Sequence, residues 1–179
     1  RAGGWGYVFG DEGGSFDIAR QALRAALRFE EGWGAPTSLH RLLLEATGAT
    51  KANDLLHRMY TPEFSRPRIA RLSRLVDEAA IAGDEIAQSI LNTAANELAS
   101  LATALRRQLF RNGEKVRIAY VGGGFRSALL LDRFSAELEA DGDNRCVPPV
   151  YGPAAGALLE AYALAGLAVS LSGVPKEKV

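Results

Sequence analysis

The chain of 179 residues is long enough for one domain with a packed core, which excludes a disulfide-stapled miniprotein. Its 21 Lys and Arg balance 21 Asp and Glu, so it lacks the basic excess that nucleic-acid backbones demand. A single Cys146 with His40 and His57 excludes an internal disulfide and falls short of a zinc or iron–sulfur ligand set, pointing to a reducing, cytoplasmic setting.

In chain order, the amino end carries neither an initiator Met nor a signal pattern, so the chain reads as the second half of a longer protein. Residues 1–15 hold six of the 19 glycines, more than turning requires, so the backbone approaches something closely there. From Phe16 to Glu31 the spacing of Ile18, Ala22, Leu23, Ala26 and Leu27 predicts an amphipathic helix, with Arg20, Arg24 and Arg28 on its polar face. Thr37 or Ser38 caps a short helix that Gly48 stops, and Asn53-Asp54 opens another. Residues 67–82 predict one further helix, and a long one after Gly83 carries Ile86, Ile90, Leu91, Ala94, Leu98, Leu101 and Leu105 on one stripe.

Val116 to Val121 is β-rich and runs into Gly122-Gly123-Gly124, a helix follows over 127–140, a second strand lies near 146–150, and a last helix spans 153–166. The stretch 154–170 is broken by Glu160 and glycines, so no membrane span is expected. Residues 171–179 read as a frayed tail. Alternation of strand and helix near the end predicts an α/β, helix-rich fold in which ligands sit beyond the carboxyl ends of strands.

Val121-Gly122-Gly123-Gly124-Phe125-Arg126-Ser127 joins a strand end to a helix start, where free backbone N–H groups and a hydroxyl meet a polar ligand. Ser127 stands where a dinucleotide fingerprint has its last glycine, and the Gly-Lys-Ser/Thr ending of a P-loop is missing. A ligand turn and a mere tight connection are equally good readings of these residues. Near the amino end, Asp11 and Glu12 offer carboxylates to a ligand's hydroxyls or complement the following helix dipole, and the second role is the commoner. Trp5 stacks on a sugar or fills the core, and the core is commoner for tryptophan.

Together, Gly3-Gly4-Trp5-Gly6 through Gly10-Asp11-Glu12-Gly13-Gly14-Ser15, Ala80 to Asp84, the triple-glycine turn and Pro148 to Ala157 resemble the BadF/BadG/BcrA/BcrD ATPase family, which includes N-acetylglucosamine and glucosamine kinases. The resemblance implies the ribonuclease-H-like carboxyl-terminal lobe of the actin, sugar-kinase and heat-shock-chaperone superfamily. It implies a lobe over residues 1–170 with a helical insertion around 35–65, and a tail over 171–179. It further implies ATP and Mg²⁺ as cofactors, an amino sugar as substrate, and a homodimer. Gly4, Trp5, Gly6 and Asp11 would lie against the sugar, while Gly122, Gly123, Ser127, Arg126 and Ala80 would hold the nucleoside.

Gly14 replaces the family's usual serine and Ser15 follows it. The family's Asp-Gly-Gly-Gly-Thr phosphate hairpin, general-base aspartate and Gly-Thr-Gly-Ser loop have no match, so no catalytic residue and no metal ligand is assigned, and the chain alone is expected to be inactive. The alternatives are a module that binds nucleotide or sugar without turnover, and an oligomer interface made by the apolar helices. The family's iron–sulfur branch is disfavoured by the lone Cys146, expected to be a small buried hydrophobe, and His40 and His57 are expected to decorate helix faces.

Overall fold

The computed structural model describes residues 1–173. Eight helices and two short strands follow in the order α1 (Ser15–Glu30), α2 (Leu39–Thr47), α3 (Ala52–Met59), α4 (Arg66–Arg71), α5 (Ser73–Ile81), α6 (Glu85–Leu109), β1 (Val116–Ala119), a 3-10 turn (Gly123–Arg126), α7 (Ala128–Glu139), β2 (Asn144–Val147) and α8 (Pro153–Leu164). The fold is α/β and helix-rich, as expected, with a small parallel sheet.

α6 is the spine. Small residues at helical spacing, Ala87, Ala94, Ala95 and Ala99, bury alongside Ile90 and Leu91 and let α5 and α7 pack closely on either side. α1 presents Ile18, Ala19, Ala22 and Ala26 to the same core and packs against α2, α4 and α5. Ile18, Leu39, Leu43, Leu55, Val76 and Leu130 are its largest fully buried side chains.

The Asp84 side chain starts α6 and ties it to the chain ahead of α2. Its Oδ1 accepts from Ala87 N at 3.0 Å, and its Oδ2 accepts from Thr37 Oγ1, Ser38 Oγ and Ser38 N at 2.8, 2.7 and 2.6 Å. Burial pushes its carboxyl pKa up, but these hydrogen bonds outweigh burial and hold it below the ordinary aspartate value. Thr37 and Ser38 both donate their hydroxyls to Asp84; Ser38, the residue before α2, makes no side-chain cap, while Thr37 Oγ1 accepts from Leu39 N at 3.2 Å and caps the start of the helix as expected. At the other end of α6, buried Arg106 donates to Asn144 Oδ1 at 2.8 Å and to the Glu114 carbonyl at 3.0 Å, fixing the helix to the starts of both strands.

Three boundaries differ from the sequence reading. The helix expected over 67–82 breaks at Leu72, where Leu72 N bonds to Ile69 O and Leu75 N to Leu72 O. These i to i+3 bonds tighten the turn and keep Ile69, Leu72 and Val76 all on the core side. The first strand ends at Ala119 rather than Val121, and the second occupies 144–147 rather than 146–150. Pro148 and Pro149 have no N–H to give, so pairing in the register Val116↔Asn144 to Ala119↔Val147 stops there. Cys146 is half-buried in β2 rather than buried.

α2 and α3, within the 35–65 region, pack on each other and on α1. α8 differs from every longer helix in having no buried residue, although it is mostly apolar. Among the described residues no helix is long and apolar enough to cross a membrane. Residues 174–179 of the expected tail lie outside the described residues.

Candidate functional site

An open cleft of about 500 Å³ lies between the start of α1, one face of α4 and α5, and the 3-10 turn that leaves β1. It forms at the carboxyl end of a strand, where α/β sheets place ligands. Gly123, Gly124, Arg126 and Ser127 line one wall, and Arg71, Arg74 and Asp77 the other. Gly122 just ahead has φ +125, a conformation that L side chains rarely adopt. Gly123 has no positive φ, and a β-carbon on it would meet no atom within 4 Å. Gly124 likewise has no positive φ, and a β-carbon there would reach only Ser15 Oγ, at an ordinary 3.6 Å. Neither glycine is required by the chain's own packing.

The cleft is cationic. Among the described residues Arg71, Arg74 and Arg126 enter no ion pair, against the two carboxylates of Asp77 and Glu78. The Ser127 hydroxyl is spoken for: it donates to Asp77 Oδ1 and accepts from Leu130 N at 3.2 Å, capping α7. Asp77 thus bridges α5 to the start of α7 across the cleft floor.

A second feature is the loop Gly3 to Gly14. Gly3, Gly4, Gly6 and Gly13 have positive φ, and so does Asp11 at φ +60, a strained conformation for a residue with a side chain. Gly13 also has a packing reason: a β-carbon there would come within 2.5 Å of the Ala94 carbonyl oxygen and 2.7 Å of Leu98 Cγ on α6. The loop is tied to α1 by buried Asp17, which accepts from Gly13 N and also from Arg20 and Gln21. Arg20 also donates to the Tyr7 carbonyl and the Tyr7 ring packs edge-on against Phe16, while Trp5 is 69% exposed beneath the Arg1 guanidinium and Phe9 is 83% exposed. Trp5 is therefore not a core residue, contrary to the commoner reading of tryptophan.

Of the residues singled out from sequence, Gly123, Arg126 and Ser127 come together in the cleft, with Gly122 at its edge. Gly4, Trp5, Gly6 and Asp11 gather in the loop, outside the cleft lining. Ala80 is 1% exposed, buried in the core and absent from the cleft wall. Arg71, Arg74 and Asp77 were missed, although their shared helical face opposite Leu72 and Val76 was a readable signal. Ser15, one position beyond the family's usual serine, lines the cleft. His40 pairs with Glu30 at 2.6 Å and His57 is exposed.

The family model for the BadF/BadG/BcrA/BcrD ATPases matches residues 1–161. The chain belongs to this family. Among curated relatives, this BadF/BadG/BcrA/BcrD chain is 38% identical over 141 residues to the N-acetyl-D-glucosamine kinase of Dictyostelium discoideum, covering 77% of this chain and 44% of that protein. It is 35% identical over 123 residues to the N-acetylmuramic acid/N-acetylglucosamine kinase of Clostridium acetobutylicum, covering 69% and 40%. A crystal structure from Chromobacterium violaceum, provisionally described as an N-acetylglucosamine kinase, superposes with a TM-score of 0.70 at 27% identity, over 88% of this chain and 50% of its own. The chain thus spans half or less of the length of each.

Proposed function

We propose that this chain is the ribonuclease-H-like carboxyl-terminal lobe of an ATP-dependent kinase that phosphorylates an amino sugar, N-acetylglucosamine or glucosamine. Residues 1–170 make the lobe, with 35–65 as a helical insertion and 171–179 as a tail. The observation that carries the reading is the pair Gly123 and Gly124. Glycine in a helical turn costs about 0.5–1 kcal/mol relative to alanine. Here neither backbone strain nor a neighbour within the chain offsets that cost. Close approach of a nucleotide to the bare backbone does.

The residues present fit ATP. Arg71, Arg74 and Arg126 offer unpaired positive charge to phosphates, and the cleft is large enough to bury a nucleoside. Ser127 acts by holding Asp77 and the start of α7 in place, since its hydroxyl is already committed. ATP supplies the phosphoryl group, to be transferred to a sugar hydroxyl, most simply that on C6. Asp11 accepts hydrogen bonds from other sugar hydroxyls, while Trp5, Gly4 and Gly6 shape the face against which the ring rests. Mg²⁺ accompanies the nucleotide in this reading, yet no three His, Cys, Asp or Glu side chains gather as a ligand set among the described residues.

The general base and phosphate hairpins are expected in the remainder of a longer protein, so these 179 residues by themselves bind without transferring phosphate. The same reading carries a cytoplasmic homodimer, for which the exposed Leu158 and Leu164 on α8, a helix without a buried residue, are apolar surface to cover. Calorimetric titration with ADP and a coupled assay on N-acetylglucosamine and glucosamine, using the full-length protein, test the proposal. ADP binding with sugar-dependent ATP turnover is the expected result. ADP binding without turnover on either sugar replaces the kinase by the binding-module reading, and absence of ADP binding overturns both.

A further inference from the structure

The polar face of α1 carries Arg20, Arg24 and Arg28 at four-residue spacing, and the three are used differently. Arg24 enters no ion pair among the described residues, and Arg28 stacks on exposed Trp33. Arg20 turns back over the start of the helix. Its Nη2 donates to Asp17 Oδ1 and its Nη1 to the Tyr7 carbonyl at 3.4 Å, while its Nε is sealed from solvent without a hydrogen-bond partner. Asp17 is buried and also accepts from Gly13 N at 3.3 Å and Gln21 Nε2 at 3.0 Å. One ion pair thus grips the Gly3–Gly14 loop at two points, Tyr7 and Gly13, on either side of Asp11.

As a device for the fold alone this arrangement is a poor choice. Gly13 is already fixed by its fit against Ala94 and Leu98 of α6, and α1 already packs through Ile18, Ala19, Ala22 and Ala26. A buried donor without a partner opposes folding, and apolar residues often replace a buried ion pair without loss. What Arg20 does that packing does not is hold the Tyr7 backbone, to which no other group among the described residues bonds. Tyr7 is two residues from Trp5 and four from Asp11, whose φ of +60 has to be held against its own preference. Its neighbours Trp5, Val8 and Phe9 are exposed, so Tyr7 is where the rim of the loop is held. Fixing that backbone sets how Trp5 and Asp11 stand relative to each other.

Resting on the reading of that loop as the sugar site, we propose that Arg20 is a positioning residue for sugar binding: anchored on Asp17, it fixes the Tyr7 backbone so that Asp11 and Trp5 present one preformed face to the ring. Arg20 itself does not touch the sugar. The planar fork serves Asp17 and Tyr7 at once, whereas a lysine ammonium satisfies Asp17 as a point charge. A preformed face lowers the ordering cost of binding, so its loss falls on the sugar and not on the nucleotide cleft, whose lining Arg20 does not join.

The test uses the full-length protein as wild type, as Arg20→Lys, as the double variant Asp17→Asn with Arg20→Met, and as Arg24→Ala, a control one turn along the same face. The double variant leaves no buried carboxylate without its counter-charge and is expected to match wild type in urea melts. With ATP and N-acetylglucosamine or glucosamine, Arg20→Lys and the double variant are expected to raise the sugar KM about tenfold, with the smaller share of the loss in kcat. ADP affinity by calorimetry stays within about twofold, and Arg24→Ala changes neither quantity beyond that. Amide exchange over residues 3–14 quickens in both Arg20 variants while that of α6 does not. A sugar KM or a loop exchange that is unchanged in both variants overturns the proposal. So does a rise in KM with ADP affinity falling in step, which would make Arg20 a residue of the fold. A wild type that binds ADP but turns over neither amino sugar defeats the reading of the loop as the sugar site, and this proposal with it.

Discussion

The two glycine-rich segments look alike in sequence and use glycine for opposite reasons. In the loop before α1, Gly13 pairs a positive φ with a contact against α6 so close that a β-carbon would sit 2.5 Å from Ala94 O. In the turn after β1, Gly123 has no positive φ and nothing within 4 Å of where its β-carbon would be. Gly13 serves the fold. Gly123 faces open space at the cleft wall. Glycine content alone therefore does not mark a ligand site, and neither does open space around a glycine, since Gly156 in α8 also lacks a positive φ and has nothing within 4 Å; what sets Gly123 apart is that it lines the cleft.

The sharpest way to break this contrast is a pair of alanine substitutions. Gly13→Ala has to relieve both the strained φ and the clash with α6 backbone, which costs roughly 4 kcal/mol or more and leaves little folded protein. Gly123→Ala leaves stability unchanged or raised by up to about 1 kcal/mol, since it removes unfolded-state entropy without strain. Its effect falls on ADP, with binding weakened about tenfold, or about 1.4 kcal/mol. Urea melts and calorimetry on the full-length protein read both numbers. A destabilised Gly123→Ala that binds ADP normally would erase the distinction.

How far the sequence reaches depends on the same difference between internal and external causes. The helices α1, α6 and α7 were legible because apolar spacing and the stops at Gly83 and Gly122-Gly123-Gly124 are local signals. The break at Leu72 was not, because a tightened turn preserves the apolar pattern on either side of it. Nor was the shift of the second strand, which follows from parallel pairing to β1 as well as from Pro148 and Pro149. Within the site, motif residues Gly122, Gly123 and Arg126 fell where the turn was expected. The opposite wall, Arg71, Arg74 and Asp77, belongs to helices that read as core from their other face. Ala80 belongs to the Ala80–Asp84 stretch that carries the resemblance, yet its side chain is buried in the core and lies outside the cleft lining, so matching a motif residue did not by itself locate its contacts.

A middle-sized effect probes the platform against which Gly13 packs. Asp84→Asn removes the charge that organises Thr37, Ser38 and the first turn of α6, and is expected to cost about 1–3 kcal/mol at neutral pH. The sign of the pH dependence follows from its lowered folded pKa. The Asp84 contribution is fully present above the ordinary aspartate value of 3.8 and is lost as pH falls through the lower folded value. Urea midpoints measured from pH 7 down to pH ~2.5 should converge for wild type and variant at the acid end. A gap that stays constant with pH would mean that packing, not the carboxylate, supplies the difference.

The smallest effect separates positioning from contact on the open side of the comparison. Ser127→Ala deletes the cap on Leu130 N and the donor to Asp77 at once, costing about 1 kcal/mol as other helix caps do. If Ser127 works through Asp77, its loss frees that carboxylate beside Arg71 and Arg74, and ADP binding weakens by about threefold or less. Asp77→Asn removes the charge through which that weakening runs, so it is expected not to weaken ADP binding itself, and adding Ser127→Ala to it changes ADP affinity little. Additive losses across that cycle would instead mean that the Ser127 hydroxyl reaches the nucleotide directly, making the turn a contact surface along its whole length.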